Sequence, residues 1–267
     1  MATATARWLT RRKTLYLAIP VVAGVALILA ILLIRQSVPP DPSSAFPSGA
    51  LVVGVDASFP PFALDDGETM RGLDIDLATA IAEALEMPIR FVNIGFYALH
   101  DALISGQVDI LVSALRVDPA RMDDLRYTGS YFDNGLVLVR AADDPVTDLE
   151  SLANARVAYE YASSADSQIR AWEQNGRPIL RMPYELPQYA LDALQLGIAD
   201  AAIVDATTFR LYQSEHDNWT ARYEYITHEP YAIALRIDRI DAWQLVDGAL
   251  DALKENSELA RIIDEWL

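Results

Sequence analysis

The 267-residue sequence contains no cysteine, and almost all of its cations are arginines, since Lys13 and Lys254 are its lysines. Without cysteine the chain forms no disulfide, has no thiol nucleophile and offers no thiol for lipid attachment. It also has no Gly-x-Ser-x-Gly, Gly-x-Gly-x-x-Gly or His-x-x-x-His motif. These absences weigh against the common nucleophilic, dinucleotide-dependent and zinc-dependent enzymes.

Charge is distributed very unevenly along the chain. Residues 1–35 hold five basic and no acidic residues, whereas residues 36–267 hold 16 basic and 38 acidic residues, a net charge of −22. So acidic a region repels nucleic acid and anionic headgroups, and we expect no nucleic-acid partner. No constellation of metal ligands stands out in the sequence, so we expect neither a metal nor a cofactor.

An uncharged run near the N-terminus predicts a single transmembrane helix, an uncleaved signal anchor. Residues 15–34 carry no charge and, at ~1.5 Å per residue, would span a ~30 Å hydrocarbon core. Because basic residues precede the run, we expect residues 1–14 in the cytoplasm and the rest of the chain outside the inner membrane. A cleaved signal peptide is the alternative, although its apolar region is normally ~7–15 residues long. Residues 35–49 are rich in Pro and Ser, which predicts a semi-extended tether.

A recurrence 91 positions apart predicts two similar α/β lobes. Residues 103–112 (LISGQVDILV) are matched by residues 194–203 (LQLGIADAAI), with leucine, glycine and aspartate at equivalent places. Each copy has the pattern of a helix end, a glycine cap, a short turn and a buried strand. The alternation of strands and helices around them favours parallel-rich sheets. Two lobes create a cleft, where small ligands commonly bind.

The order of the predicted elements also suggests how the lobes are connected. We expect lobe 1 to comprise residues 50–134 and 232–267, and lobe 2 to comprise residues 135–231. The connections are predicted at Gly135–Val139 and Tyr231–Leu235. The C-terminal helices would then return to lobe 1.

The residues that follow the predicted strands combine opposed charges with aromatic rings. In parallel α/β sheets, ligands meet the carboxyl ends of strands. An arginine, a carboxylate and an aromatic ring together suit a small zwitterion. The candidate ligand-binding residues are Asp56, Phe59, Phe96, Ser113, Ala114, Arg116, Arg121, Glu160, Ser164 and Asp205.

Several candidates also have a purely structural interpretation. Arg121 is alternatively a surface arginine paired with Asp123 or Asp124. Asp205 is alternatively the N-cap of the helix that follows it. The others would serve in core packing (Phe59 and Phe96), in the Pro-Pro turn (Asp56) or as a solvated loop residue (Glu160).

Seven stretches follow the pattern of one family in that family's order: VGVDASFPPF (53–62), GLDIDLATAIAEAL (72–85), LISGQVDILVSALRVDPAR (103–121), YTGSYF (127–132), VAYEYASSAD (157–166), GIADAAIVD (197–205) and LKENSELARIIDEWL (253–267). Through them, residues 51–267 resemble the bacterial extracellular solute-binding proteins of family 3, the polar amino-acid receptors of ABC importers. The resemblance implies a two-lobed periplasmic-binding-protein-like fold of type II. It also implies capture of a small polar ligand outside the membrane, with permease and ATPase components as partners.

The resemblance assigns a role to most candidates. Arg121 matches the arginine that holds the ligand α-carboxylate, and Asp205 matches the carboxylate that holds the α-ammonium. The other matches are the loop at Ser113 and Ala114, the sandwiching aromatics Phe59 and Phe96, a distal-cation contact at Asp56 and a helix N-terminal contact at Ser164.

The sequence departs from the family pattern in the two binding loops. Arg116 and Asp118 replace two threonines, so the two either pair with each other or Arg116 selects a more acidic ligand. Ala162 replaces a glycine beside Glu160 in the second loop. Asp56 and Glu160 favour a basic ligand whereas Arg116 opposes one, so the ligand class stays open at this point.

Two other functions are compatible with the same resemblance. Cyclohexadienyl dehydratases resemble these receptors, and the candidate acids of such an enzyme would be Glu160, Glu173 and Asp205. A ligand-sensing module that acts with a partner protein is the other alternative. We expect a receptor without catalytic activity.

Overall fold

The computed structural model describes residues 40–142, 152–216 and 218–267. The expected cytoplasmic segment 1–14, the expected anchor 15–34 and the first part of the expected tether lie outside the described residues. Within the described ranges, no helix is both long and apolar enough to cross a membrane.

Strands and helices alternate along most of the described chain, as in an α/β protein. The strands are β1 (Leu51–Val55), β2 (Ser58–Phe59), β3 (Ala63–Asp65), β4 (Met70–Arg71), β5 (Ile89–Asn93), β6 (Ile110–Leu111), β7 (Leu125–Asp133), β8 (Leu136–Ala141), β9 (Arg156–Glu160), β10 (Leu180–Tyr184), β11 (Ala201–Asp205), β12 (Ala221–Tyr225) and β13 (Pro230–Arg236). The α-helices are α1 (Pro42–Ala45), α2 (Leu73–Ala84), α3 (Leu99–Ile104), α4 (Ser164–Gln174), α5 (Pro187–Gln195), α6 (Ala206–Glu215), α7 (Ile240–Glu255) and α8 (Glu258–Trp266). Single 3-10 turns cover Phe96–Ala98 and Pro119–Arg121.

Two five-stranded mixed sheets confirm the predicted two-lobed α/β organisation. The first has the order β5-β1-β6-β13-β7, and the second has the order β10-β9-β11-β8-β12. In each sheet the first three strands are parallel, because helices form the crossovers between them. The remaining two strands of each sheet form antiparallel pairings with their neighbours, so the sheets are mixed.

The recurring sequence unit has the same structure in both lobes. Gly106 and Gly197 each follow a helix with a left-handed φ, of +76° and +69°. Asp109 accepts a hydrogen bond from the first sheet's Val52 N–H at 3.1 Å. Asp200 accepts one from the Arg156 N–H in the second sheet at 2.7 Å. Each aspartate therefore ties the start of its own strand to the neighbouring parallel strand.

Two segments carry the chain between the sheets, and both differ from the predicted connections. The first lies between β7 and β8, and the second lies between β12 and β13. Gly135–Val139 was expected as a connection, but most of it belongs to β8 of the second sheet. Tyr231–Leu235 was also expected as one, but it lies within β13 of the first sheet. Apolar strand residues were mistaken for connecting chain because each strand lies directly beside a crossing.

The residues before β1 are not the extended tether that was expected. Asp41 caps the single-turn helix α1 by accepting a hydrogen bond from the Ser43 N–H at 3.1 Å. Phe46 is fully buried in the core that α2 and α7 cover. Arg239 of lobe 1 donates a hydrogen bond to the Ala45 carbonyl. The aromatic residue at the end of the Pro/Ser-rich stretch therefore anchors it to lobe 1.

The loop between β1 and α2 contains a small sheet that was not predicted. Strands β2, β3 and β4 pair antiparallel in the order β2-β3-β4. Each is only two or three residues long, too short to show an alternating pattern. This sheet holds the loop against the carboxyl end of β1.

Candidate ligand-binding cleft

Lobe 1 forms a pocket of about 470 Å³ at the carboxyl ends of β5 and β6. Its walls are the loop after β6 and the turn that leads into α3. Aromatic and aliphatic side chains line it together with Arg116, Asp118 and Arg121. Four predicted site residues contribute to the lining: Phe96, Ala114, Arg116 and Arg121.

Lobe 2 and the crossing segments form a second pocket, of about 500 Å³. Its polar lining consists of hydroxyl, amide and carboxylate groups. The lining residues are Asn134, Leu136, Ser164, Ser167, Gln168, Asp205, Thr227 and Glu229. Ser164 and Asp205 were predicted, whereas Glu229 was not.

The two pockets adjoin each other through one ion pair. Nη1 of Arg116, in the lobe 1 pocket, lies 3.6 Å from Oε2 of Glu229, in the lobe 2 pocket. Tyr231 is buried close to both groups and to Asp205. Burial raises the pKa of Tyr231 to about 12, opposed by a hydrogen bond from the Asn134 amide. Both pockets therefore border one gap between the lobes.

Arg121 lies in the 3-10 turn that Asp118 begins. Asp118 Oδ1 accepts a hydrogen bond from the Ala120 N–H at 2.9 Å, and its Oδ2 lies 3.4 Å from Nε of Arg121. The surface pairing expected with Asp123 or Asp124 is therefore replaced by a pair with Asp118. A guanidinium has five N–H donors, so one pair through Nε leaves capacity for a second anion.

Arg116 does not pair with Asp118, which was one of the two expectations for it. Its backbone forms an isolated antiparallel bridge with Tyr231, which carries its side chain toward Glu229. The side chain remains 70% exposed. Glu229 offsets its charge, so Arg116 is a weaker argument for an acidic ligand than its sequence position indicated.

The predicted loop of Ser113 and Ala114 is held from two sides. Ser113 is buried, and its Oγ accepts a hydrogen bond from the Asp56 N–H at 3.0 Å. Ala114 adopts φ +45°, which is unusual for a residue with a side chain. Its N–H donates to Asp74 Oδ2 at 2.8 Å and lies 3.1 Å from the Tyr131 hydroxyl oxygen.

Asp56 braces two loops of lobe 1. Its Oδ1 accepts hydrogen bonds from the N–H and the hydroxyl of Ser58, at 3.1 and 2.6 Å. Its Oδ2 accepts one from the Phe96 N–H at 2.9 Å. This geometry fits the structural interpretation of Asp56 better than a carboxylate reserved for a distal cation.

The two predicted aromatics are too exposed to be core residues. Phe59 is 51% exposed and stacks on Phe62, with 5.6 Å between ring centroids. Phe96 is 54% exposed and packs edge-on against Tyr97 at 6.0 Å. Phe96 lines the lobe 1 pocket, whereas Phe59 lines neither of the two pockets.

Asp205 is both a helix cap and a pocket residue. It ends β11, and its Oδ1 accepts a hydrogen bond from the Thr208 N–H at 2.8 Å. Its Oδ2 accepts one from the Thr208 hydroxyl, also at 2.8 Å. The two interpretations of Asp205 are therefore compatible, because capping leaves the carboxylate at the pocket wall.

Ser164 and Glu160 lie on either side of the same lobe 2 loop, but only Ser164 lines a pocket. Ser163 caps α4, and Ser164 is the first helical residue and lines the lobe 2 pocket. Glu160 ends β9 and lines neither of the two pockets. Glu173, an acid of the dehydratase alternative, lies nine residues beyond Ser164, about 13 Å along the helix, and faces Arg181 at 3.6 Å. The three proposed acids are thus not gathered around one point.

The crossing segments meet at Asp133, which was not among the predicted site residues. Its Oδ1 accepts hydrogen bonds from the N–H groups of Gly135 and Glu229, at 2.9 and 2.8 Å. Its Oδ2 lies 2.6 Å from Nδ1 of His228. Asp133 therefore joins the two crossings, and only its place at the end of a strand could have suggested this.

Two α/β lobes, two crossing segments and a charged gap between the lobes define a two-lobed ligand-binding protein. Residues 51–267 match the family model of the bacterial extracellular solute-binding proteins, family 3. The chain belongs to this family.

Individual relatives agree with this assignment. The chain is 25% identical over 220 residues to the ABC transporter arginine-binding protein 1 of Escherichia coli K12, covering 80% of this chain and 88% of the relative. It is similar to an ancestral cationic amino acid solute-binding protein, with a TM-score of 0.62, 25% identity and coverage of 84% and 98%. It also shares its fold with the L-cystine solute receptor of Neisseria gonorrhoeae, with a TM-score of 0.72, 17% identity and coverage of 84% and 95%.

Proposed function

We propose that this chain captures an L-amino acid with a cationic side chain, with L-arginine as the first candidate, between its two lobes. One observation carries the proposal: arginines line the lobe 1 pocket, carboxylates line the lobe 2 pocket, and both pockets border one gap. An amino acid carries an anion and a cation on its α-carbon. It therefore complements both pockets at once, and closure of the lobes around it satisfies both charges.

Each end of the ligand has a proposed partner. Arg121 binds the α-carboxylate with the N–H donors that Asp118 does not use. Ser164, the first residue of α4, offers its hydroxyl group and its backbone N–H to the same carboxylate. Asp205 binds the α-ammonium, and the exposed ring of Phe96 packs along the ligand side chain.

A cationic side chain is favoured by the charges around the gap. Glu229 offsets the charge of Arg116, so Arg116 opposes a cationic side chain less than its sequence position indicated, and Asp205 supplies the negative charge of the lobe 2 pocket. The strongly acidic surface of residues 36–267 concentrates cations near the cleft. Two of the relatives described above are named for arginine or for cationic amino acids, which supports the same class.

Calorimetric titration of the full chain with L-arginine, L-lysine, L-glutamine and L-glutamate tests the proposal. We expect L-arginine to bind with a Kd of about 1 μM or tighter, equivalent to ~8 kcal/mol, and L-glutamate not to bind. Tighter binding of L-glutamate or L-glutamine would overturn the cationic class. Failure of every amino acid to bind or to raise the Tm would overturn amino-acid capture itself.

We further propose that the protein is membrane-tethered and delivers its ligand to an ABC permease with its ATPase. The uncharged run at residues 15–34, preceded by basic residues, supports a tether with the folded region outside. Membrane fractionation, followed by protease treatment of spheroplasts, should show a membrane-bound and externally accessible protein. Deletion of the gene should abolish uptake of labelled L-arginine, whereas unchanged uptake would favour a sensing role.

A further inference from the structure

A carboxyl group that has no role in the proposed binding site is buried beneath the lobe 1 pocket. Asp74 lies in the first turn of α2 and is 1% exposed. Its Oδ1 accepts a hydrogen bond from the Tyr131 hydroxyl at 2.6 Å, and its Oδ2 accepts one from the Ala114 N–H at 2.8 Å. Burial of a carboxyl group is costly unless its hydrogen bonds are made, and here both oxygens are bonded.

The Ala114 end of this network has an unfavourable backbone conformation. A residue with a side chain is sterically disfavoured at φ +45°. The bonds to Asp74 and Tyr131 hold the Ala114 N–H in this conformation. They thereby set the direction in which the chain leaves β6 toward Arg116 and Arg121, which line the pocket.

The same arrangement occurs independently in lobe 2. Asp166, in the first turn of α4, is buried, and its Oδ2 accepts a hydrogen bond from the Ala162 N–H at 3.1 Å. Ala162 has φ +60°. In both lobes, a buried aspartate at a helix start thus holds the N–H of a left-handed alanine in the loop beside a pocket. This recurrence links the aspartates to the shape of the two loops.

We propose that Asp74 is a positioning residue for ligand capture: with Tyr131 it holds the Ala114 N–H and fixes the loop that presents Arg116 and Arg121 to the ligand. Asp74 acts through the backbone and does not touch the ligand. The ligand-binding part of this inference rests on the proposed function, whereas the backbone part does not.

Protonation of Asp74 changes this network. Burial raises the pKa of Asp74 to about 7, although the hydrogen bonds from Tyr131 and Ala114 oppose the rise. Burial also raises the pKa of Tyr131 well above its usual range. A protonated Asp74 donates through one oxygen and accepts only weakly through the other. Its hold on the Ala114 N–H should therefore weaken as the pH falls through 7.

The other charged or titratable groups on the packed elements have partners of their own. Tyr231 on β13 influences Tyr131. Asp76 on α2 accepts a hydrogen bond from Trp266 on α8, and Arg71 on β4 faces Asp66. Asp76 is therefore a suitable control, because it lies two residues from Asp74 but binds a different element.

The binding test compares the pH profile of the L-arginine Kd between pH 6 and 8 in four full-length proteins. In the wild type we expect the Kd to rise roughly threefold to tenfold from pH 8 to pH 6. Asp74→Asn should have a flat profile, Tyr131→Phe should shift its midpoint upward, and Asp76→Asn should match the wild type. If Asp74→Asn folds poorly, the midpoint of Tyr131→Phe still decides. If Asp74→Asn and Tyr131→Phe both kept the wild-type pH profile of the Kd, the proposal would be overturned.

A backbone test needs no ligand. The ¹⁵N–¹H amide signal of Ala114 should titrate with a midpoint near pH 7 in the wild type and should not titrate in Asp74→Asn. An Ala114 amide that is insensitive to pH in the wild type would overturn the proposal. If no amino acid binds while this amide titrates as expected, the proposed function fails and the positioning role of Asp74 stands.

Discussion

Lobe 1 and lobe 2 share one structural unit but present different chemistry to the gap between them. The shared glycine and aspartate of each unit lie before β6 and β11, at the amino ends of the strands. The residues that differ lie after these strands: arginines with aromatic rings in lobe 1, and carboxylates with hydroxyl groups in lobe 2. The amino ends therefore maintain the fold, whereas the carboxyl ends are free to diverge toward complementary halves of one site.

The buried aspartates beneath the two loops also differ between the lobes, in their partners and in their pKa values. Asp74 has the neutral Tyr131 as its partner, and burial raises its pKa to about 7. Asp166 has Arg170 as its partner, and the hydrogen bond from that guanidinium lowers its pKa to about 2. The same backbone conformation is thus supported by a group that titrates near neutrality in lobe 1 and by a group that stays charged at neutral pH in lobe 2.

Removal of the Arg121 guanidinium from the lobe 1 pocket should have the largest effect on L-arginine binding. Arg121→Ala should weaken L-arginine binding by about 100-fold or more, because the ligand carboxylate is left without its charged partner. Calorimetric titration measures the change. Arg71→Ala is the matched control, since Arg71 is an exposed lobe 1 arginine that faces Asp66 outside both pockets. An equal loss in the control would show that the effect is general electrostatics.

Neutralisation of the lobe 2 carboxylate should have the next largest effect. Asp205→Asn should weaken binding by about tenfold to thirtyfold, because a charged hydrogen bond to the ammonium becomes a neutral one. Asparagine is as good an N-cap as aspartate, so the Tm should hardly change. A large fall in Tm with little change in Kd would reassign Asp205 to capping alone.

The stability of the protein should depend on pH through Asp74. Its raised pKa means that the folded state binds more protons than the unfolded state between about pH 4 and 7. The free energy of unfolding should therefore fall by on the order of 2–4 kcal/mol as the pH rises from about 4 to 7, and it should be level above pH 7. Urea unfolding at a series of pH values measures this slope, which Asp74→Asn should reduce.

The pKa of Asp166 is shifted in the opposite direction, so its effect on the pH dependence of stability has the opposite sign. Its lowered pKa stabilises the fold above pH 3.8, and this contribution is lost as the pH falls toward about 2. Asp166→Asn should thus leave the slope between pH 4 and 7 unchanged. If both variants altered that slope equally, the distinction between the two lobes would be wrong.

The smallest effect on L-arginine binding is expected from the ion pair of Arg116 and Glu229, which links the two pockets. Arg116 and Glu229 are 3.6 Å apart and substantially exposed, so their coupling should be below about 1 kcal/mol. A double-mutant cycle of Arg116→Gln and Glu229→Gln, read in the L-arginine Kd, measures it. A coupling well above this value would mean that the pair itself is part of the ligand contact.

Features with strong local signals were predictable from the sequence. The two-lobed plan followed from the repeated Leu-x-x-Gly-x-x-Asp pattern, because a glycine cap and a strand start depend on neighbouring residues. The alternative interpretation of Asp205 as an N-cap was correct, because Asp205 caps its helix. The roles of the predicted ligand-binding residues stay predictions.

Features that depend on distant pairing were not predictable. Glu229 and Asp133 act through partners that are over 90 positions away in the chain, and neither lies in a recognisable motif. The partner of Arg121 was misassigned among nearby aspartates because a 3-10 turn, rather than a helix, sets the spacing. Strand β12 was also not predicted, although its residues alternate between apolar and polar side chains, a local signal that could have found it.

A change in the distance between the lobes would show whether the two pockets close on one ligand. Because the chain has no cysteine, spin labels can be placed at Gln107→Cys in lobe 1 and Gln174→Cys in lobe 2, at exposed positions remote from the gap. The distance between the labels should shorten when saturating L-arginine is added, and Arg121→Ala should abolish the shortening at the same concentration. If L-arginine bound with no change in the distance, the two pockets would not close on it.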